Sequence, residues 1–252
     1  MLEIFILSIV QGITEFLPIS SSAHINLISK LTNFSFSGLL LDISLHIGSF
    51  FAVLIYFRNE IFVMIKNLRK LSYLTVAVLP ILVLGFLVTK MDFSDNIRSL
   101  KIIGWMTIIF GVLLFLSDKS KVKKSYQNQF NMKDAIIIGL IHSIAIVPGV
   151  SRSGVAMTAC RFLSYSRIDS AKISFLISIP TLLAVSIYGI YSLNSNSDIN
   201  IQSINILSIL FSFFFSYITI KFFLKFLKKF SLNFFVYYRI IIGLVILYYG
   251  YN

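Results

Sequence analysis

Six apolar runs, each about as long as the roughly 20 residues a helix needs to cross a bilayer, dominate this chain: residues 39–57, 73–88, 102–116, 173–191, 204–223 and 234–249. In lipid every backbone polar group must be satisfied internally, so such runs fold as helices. The expected fold class is therefore an all-α, polytopic membrane protein with six transmembrane helices, filling residues 1–252 as a single membrane domain. Composition agrees, since 57% of the residues are hydrophobic and 13% charged, more apolar surface than a soluble domain of this length can hide. Two further apolar stretches, residues 1–28 and 134–163, are interrupted midway by Pro, Ser, Gly and ionisable residues, and they do not read as simple crossings.

Charge orients the spans. A net charge of +12 would suggest nucleic acid in a soluble protein, but here Lys and Arg sit in loops beside spans, where they hold the cytoplasmic side and meet anionic lipid. Membrane lipid is the expected partner, and nucleic acid is not. Arg58, Lys66, Arg69 and Lys70 place one loop inside, and Lys119, Lys121, Lys123, Lys124 and Lys133 place another. Lys221, Lys225, Lys228 and Lys229 fall on the same side, while segments 91–96 and 194–200, without Lys or Arg, are expected outside with both termini. The amino terminus lacks a positive leading region and carries Glu3 and Glu15, so it is expected to stay in the mature protein. A single Cys160 excludes an intramolecular disulfide and reads as a small helix-packing residue.

An offset of about 130 residues brings the halves into correspondence. Phe16-Leu17-Pro18 with Ser21 matches Ile146-Val147-Pro148 with Ser151, and Ile43-Ser44 matches Ile173-Ser174. Each half, about 1–120 and 131–252, then holds one broken segment and three spans. Three is odd, so the second half is expected upside down relative to the first: an inverted-topology repeat with two re-entrant helix pairs meeting near the midplane, as in many transporters.

The broken segments carry the chemistry. Pro18 disfavours helix at Leu17, and Ser20, Ser21 and Ser22 are natural capping residues. A helix is expected to end at that proline and another to start in the serines. Pro148-Gly149 followed by Ser151 repeats the arrangement. Two helix amino termini then point free N–H groups into one polar pocket, which suits phosphate. Ser20, Ser22, Ser151, Ser153 and Gly154 form the expected phosphate-binding set. Glu15, His24 and Arg152 lie in otherwise apolar surroundings, where a charge costs about 2.5–3.5 kcal/mol at a helix centre, so each is a functional candidate. Arg152 offers a planar fork for phosphate oxygens. His24 follows Ser21 by three residues and Ser20 by four, which places it on their face of a helix as a base or nucleophile. Glu15 is suited to hold a divalent ion or to orient His24.

The stretch QGITEFLPISSSAH at residues 11–24 resembles the first signature of the undecaprenyl-diphosphate phosphatase (bacitracin-resistance) family, and PGVSRSG at 148–154 resembles its second. LDISLHIGSFFAVLIYFR, which lies between them, is similar to a third family block. The resemblance covers essentially the whole chain. It implies an enzyme of the bacterial cytoplasmic (inner) membrane that hydrolyses undecaprenyl diphosphate to undecaprenyl phosphate and inorganic phosphate, recycling the lipid carrier of cell-wall synthesis and giving bacitracin resistance. Bacitracin would compete by sequestering the substrate. The resemblance also implies a pocket open to the external side and a divalent cation, Mg²⁺ or Ca²⁺, bridging Glu15 and the diphosphate. The family's motif pair falls on Gln11 and Glu15, its serine and histidine on Ser21 and His24, and its arginine on Arg152. With Gln at position 11, Glu15 is the only carboxylate of the motif. Ala156 stands where the family commonly has Thr, so one hydroxyl is lost. Asp42 and His46 match the third block and are read as supporting residues; His142 reads as a buried packing residue. Ser21 activated by His24, His24 itself and a metal-bound water all remain open as the nucleophile. A carrier or lipid flippase is the alternative that broken inverted repeats allow, and a homo-oligomer is also open.

Overall fold

The computed structural model describes residues 2–32, 39–90, 99–194 and 203–252. Among them the chain is helical, with no strand beyond an isolated bridge between Lys124 and Tyr165. The first broken segment gives α1 (Leu2–Thr14) and α2 (Ser21–Leu31); α3 (Leu39–Tyr56), α4 (Arg58–Ile65), α5 (Leu68–Lys90) and α6 (Leu100–Asp118) follow. A short α7 (Tyr126–Gln129) leads into the second broken segment, α8 (Met132–His142), a 3₁₀ turn at Ser143–Ile146 and α9 (Arg152–Phe162). Then come α10 (Arg167–Asn194), α11 (Ser203–Phe226) and α12 (Asn233–Tyr251).

Five of these helices, α5, α6, α10, α11 and α12, are long and apolar enough to cross a bilayer; α3 and α4 pass that test only as a pair bent by 72°, which gives up to six spans if the pair is one crossing. The bend falls where the apolar run meets Arg58, Asn59 and Glu60, which belong at the surface. All six runs read from the sequence thus fall on these helices. By contrast α1, 13 residues long, reaches only about 20 Å at 1.5 Å per residue, short of a 30 Å hydrocarbon core. Of the two segments expected on the outer side for want of Lys and Arg, 91–96 lies outside the described residues, and so does 194–200 apart from Asn194, which ends α10.

Packing connects the halves. α3 lies along α11 and α6 along α12, while α1 rests on α11 and α8 on α5. The first limb of each broken segment therefore leans on a span from the opposite half. Small residues allow it, as is usual where helices pack in lipid. A Cβ on Gly12 of α1 would stand 2.6 Å from Phe215 Cβ, and one on Gly139 of α8 would stand 2.8 Å from the Ala77 carbonyl oxygen. Buried hydroxyls join α3 to α11, with Ser49 Oγ 3.0 Å from Ser216 Oγ and 3.2 Å from Ser212 Oγ. Phe16, Phe57, Phe175, Phe223 and Phe235 fill the central core. Phe86, Phe214, Phe222 and Ile241 stay on the periphery, where lipid is the solvent.

At the basic end two carboxylates organise the loops. Asp118 accepts a two-pronged pair from Arg167 at 2.7 and 2.9 Å and also the Leu232 amide at 3.1 Å. Asp134 accepts from Lys124 at 2.8 Å and from the Tyr165 hydroxyl at 2.5 Å. Arg161 donates to the carbonyls of Asp118, Ser120 and Tyr165. These bonds anchor the end of α9 and so set the depth of the second break. Cys160 is fully buried beside them, as a packing residue should be.

Candidate active site between the two helix breaks

Both breaks make the same local structure. Ser20 sits at φ 73° and its Oγ accepts from the Ala23 amide at 3.4 Å, capping α2. Ser151 sits at φ 70° and accepts from the Gly154 amide at 3.1 Å, capping α9. A left-handed backbone is uncommon outside glycine and persists only where its surroundings hold it; here the cap bonds do so. Each capping hydroxyl also meets one two residues on, Ser20 with Ser22 at 3.1 Å and Ser151 with Ser153 at 3.2 Å. Ser20 is thus the counterpart of Ser151, where the proline alignment paired Ser21 with it. The shift has a physical origin: the second break holds one more residue between proline and cap, and Gly149 takes it up at φ 94°.

Glu15 is the centre of the site. Its Oε1 accepts from Arg152 Nη2 at 2.7 Å, and its Oε2 accepts from Ser21 Oγ at 2.8 Å and Gln11 Nε2 at 3.0 Å. Gln11 Nε2 also lies 3.0 Å from His46 Nδ1; an amide N–H only donates, so that ring nitrogen accepts. His46 Nδ1 is 4.0 Å from Glu15 Oε2. The first break therefore brings Gln11, Glu15 and Ser21, α3 brings His46, and the second break brings Arg152 across to the same carboxylate.

His24 departs from the expectation. Its Nδ1–H donates to the Ser20 carbonyl at 2.7 Å, its Nε2 accepts from the Tyr238 hydroxyl at 2.7 Å, and its ring stacks on Tyr238 at 4° with centroids 5.5 Å apart. Both nitrogens are engaged, Nδ1 by the first break's own backbone and Nε2 by α12, and His24 is not among the cavity-lining residues. The α2 helix turns Ser21 toward Glu15 and His24 away from it, so a Ser21–His24 pair, one of the open alternatives, does not form. Ser153 and Gly154 also sit behind the cavity surface, Ser153 donating to the Leu17 carbonyl at 2.8 Å and Gly154 supplying the cap amide. They build the turn. Ala156 and His142 are buried outside the cavity lining.

Beside this cluster lies a cavity of about 820 Å³. Gln11, Glu15, Ser20, Ser21, Ser22, Asp42, His46, Ser151 and Arg152 give it a polar side. Ile81, Leu82 and Phe86 of α5 and Ala184, Val185 and Tyr188 of α10 give it an apolar one, just past Pro80 and Pro180. No cluster of three or more His, Cys, Asp or Glu able to hold a metal exists among the described residues. Glu15 offers the one carboxylate at the cluster, already paired to Arg152, with the buried and unpartnered Gln11 Oε1 nearby. That donor set suits a hard cation sharing substrate oxygens, not a protein-only cage.

Sequence reasoning passed over Arg239 and Tyr238 on α12. Arg239 is fully buried and donates to the carbonyls of Thr107, Pro18, Gly149 and Val150 at 2.9–3.1 Å. The signal was present, because an arginine inside the apolar run 234–249 meets the same criterion that singled out Arg152.

Fold and site together define a multi-pass helical membrane protein whose two broken helices enclose a polar cluster at an apolar cavity. Within that class, the chain belongs to the bacitracin resistance protein BacA family, whose sequence model matches residues 4–245. It is 44% identical over 252 residues to the undecaprenyl-diphosphatase of Pelagibacter ubique (strain HTCC1062), covering 100% of this chain and 98% of that one. The undecaprenyl-diphosphatase of Campylobacter curvus (strain 525.92) is 38% identical over 98% of this chain and 97% of its own. That of Jannaschia sp. (strain CCS1) is 31% identical over 97% and 96%.

Proposed function

We propose that this protein hydrolyses undecaprenyl diphosphate to undecaprenyl phosphate and inorganic phosphate. Family membership and the relatives' shared activity support the reaction. The observation that carries the assignment of roles is the Ser21 hydroxyl donating to Glu15 while Arg152 holds the other oxygen of that carboxylate. Ser21 Oγ attacks the terminal phosphorus and gives its proton to Glu15; the anhydride P–O bond breaks and its electron pair leaves on undecaprenyl phosphate. Glu15 passes that proton on to the departing undecaprenyl phosphate, then takes one from water, which attacks the phosphoserine; the Ser21 P–O bond breaks, and Glu15 returns the proton to Ser21 Oγ as inorganic phosphate leaves. Arg152 and the cavity-lining serines at the starts of α2 and α9 take up charge on the phosphoryl oxygens, since phosphoryl transfer is mostly positioning and electrostatics. A divalent cation such as Mg²⁺ or Ca²⁺ would be held by Glu15 and the substrate oxygens and would add to that neutralisation. The apolar wall of α5 and α10 suits the first prenyl units.

An inverted repeat underlies the site in this reading. Its support is the twice-made serine cap and the exchange in which α1 leans on α11 and α8 on α5. Sidedness follows from charge: the cavity uses the ends of α5 and α10 remote from Arg69, Lys70 and Arg167, so by the positive-inside rule it opens to the external face of the bacterial cytoplasmic membrane. Bacitracin, by sequestering the lipid diphosphate, would compete there.

Purified protein in detergent, given undecaprenyl diphosphate with and without chelator, should release inorganic phosphate, and Ser21→Ala should abolish it. Detergent removes any gradient, so release there separates an enzyme from a carrier. Wild-type protein that binds the lipid without releasing phosphate would end the proposal.

A further inference from the structure

Arg239 is a fully buried cation that the reaction above does not use. Its guanidinium donates from Nε to the Thr107 carbonyl at 3.0 Å, from Nη1 to Pro18 at 3.1 Å, and from Nη2 to Gly149 at 2.9 Å and Val150 at 3.0 Å. Thr107 belongs to α6, Pro18 to the first break, and Gly149 and Val150 to the second. No carboxylate lies within ion-pair distance of Arg239 among the described residues. A charge inside the membrane normally pairs with another or with backbone carbonyls; this one has only carbonyls, and three of the four flank the serine caps.

We propose that Arg239 is the positioning residue of the phosphate site, locking both serine turns from behind into one anion-binding geometry. Breaks inside a membrane leave backbone carbonyls without helical partners. One planar fork satisfies those of both breaks at once and thereby fixes the turns relative to each other. Peptide planarity carries the effect through to the cavity. The Val150 carbonyl faces Arg239, so the Ser151 N–H across the same trans peptide faces the opposite way, and it has no acceptor among the described residues. A hydrogen bond accepted at one end of a peptide strengthens donation at the other. Ser151 lines the cavity and precedes Arg152, so the lock also sets where the Glu15 partner emerges. Gly154 is part of the same contact, because a Cβ there would stand 2.9 Å from Arg239 Nη1.

This role rests on the phosphatase reading, and the test separates the two by measuring binding apart from turnover. Inorganic pyrophosphate is titrated against wild type, Arg239→Lys and Arg239→Met in detergent, and kcat and KM for lipid diphosphate are measured on the same preparations. Lysine keeps the charge but cannot present a planar fork to three segments. Both variants should eluate as monodisperse protein, bind pyrophosphate about 10-fold more weakly and lose about 10²-fold in kcat/KM, the cost of a misplaced oxyanion donor. Monodisperse Arg239→Lys with wild-type pyrophosphate affinity would overturn the proposal, since a purely structural residue leaves the affinity of folded protein unchanged. If neither variant can be recovered folded, Gly154→Ala crowds Arg239 Nη1 and the Ser151 side chain it faces without removing the charge, and is judged by the same two readouts. A wild-type protein that binds pyrophosphate yet releases no phosphate defeats the phosphatase reading and leaves the role of Arg239 to the binding data.

Discussion

Ser21 Oγ donates to Glu15 Oε2 at 2.8 Å while Arg152 Nη2, from the other half of the chain, holds Oε1 of the same carboxylate at 2.7 Å. One carboxylate thus faces a hydroxyl able to attack and a cation able to receive phosphate. Replacing Glu15 by Gln preserves shape and removes the proton acceptor, and phosphate release is expected to fall by about 10²–10⁴-fold in kcat, the usual worth of a general base. Full activity in Glu15→Gln would remove Glu15 from that role.

Arg152→Ala leaves Glu15 buried beside neutral donors only. Breaking a buried ion pair costs about 3–5 kcal/mol, so the variant should melt at a clearly lower temperature as well as lose activity. Arg152→Ala with Glu15→Gln removes both charges and should recover much of the melting temperature without the activity. A double variant as unstable as Arg152→Ala would mean that the two charges do not compensate each other.

The phospho-enzyme should sit on Ser21 and resist acid. His24 has Nδ1 on the Ser20 carbonyl and Nε2 on Tyr238, which leaves no nitrogen lone pair for phosphorus. Trapping with labelled substrate followed by an acid wash distinguishes the two, because phosphohistidine is lost in acid. Tyr238→Phe should cost about 0.5–1.5 kcal/mol of stability, one neutral hydrogen bond, and a double-mutant cycle with His24→Ala should show coupling between the pair.

Gly12 and Gly139 should be equally intolerant. A Cβ at either falls within 2.6–2.8 Å of the opposite helix, and overpacking of this kind costs about 1–3 kcal/mol. Alanine at each should lower the melting temperature by similar amounts, and a larger side chain should block folding. A neutral Gly139→Ala beside a damaging Gly12→Ala would show that the two broken segments do not pack equivalently.

Lys123→Cys in a Cys160→Ala background should be unreactive to an impermeant maleimide added outside intact cells and reactive once the membrane is opened. Cys160 itself is fully buried and should contribute little background. Labelling from outside would reverse the assigned orientation and with it the face on which the cavity opens.

Much of this protein was written in its sequence. Lipid offers no partners to a backbone, so long apolar runs become helices whatever surrounds them, and the helices under all six runs followed from hydropathy alone. The helix starts after Pro18 and Pro148 were equally legible, because proline and serine act on their own backbone within a turn. So was the importance of Glu15 and Arg152, since an ionisable residue in an apolar run needs a reason to be there. What only tertiary structure decided were directions and partners. Ser21 and His24 are three residues apart, and spacing put them on one face; the left-handed cap at Ser20 instead turned Ser21 to Glu15 and left His24 to Tyr238, 214 positions away in the chain. The extra residue absorbed by Gly149 moved the correspondence of the caps by one position. Arg239 drew meaning only from the carbonyls of three segments distant in sequence, which no local pattern records. Local backbone chemistry acts over a few residues and can be read along the chain; side-chain partnership depends on which surfaces the packed helices bring together.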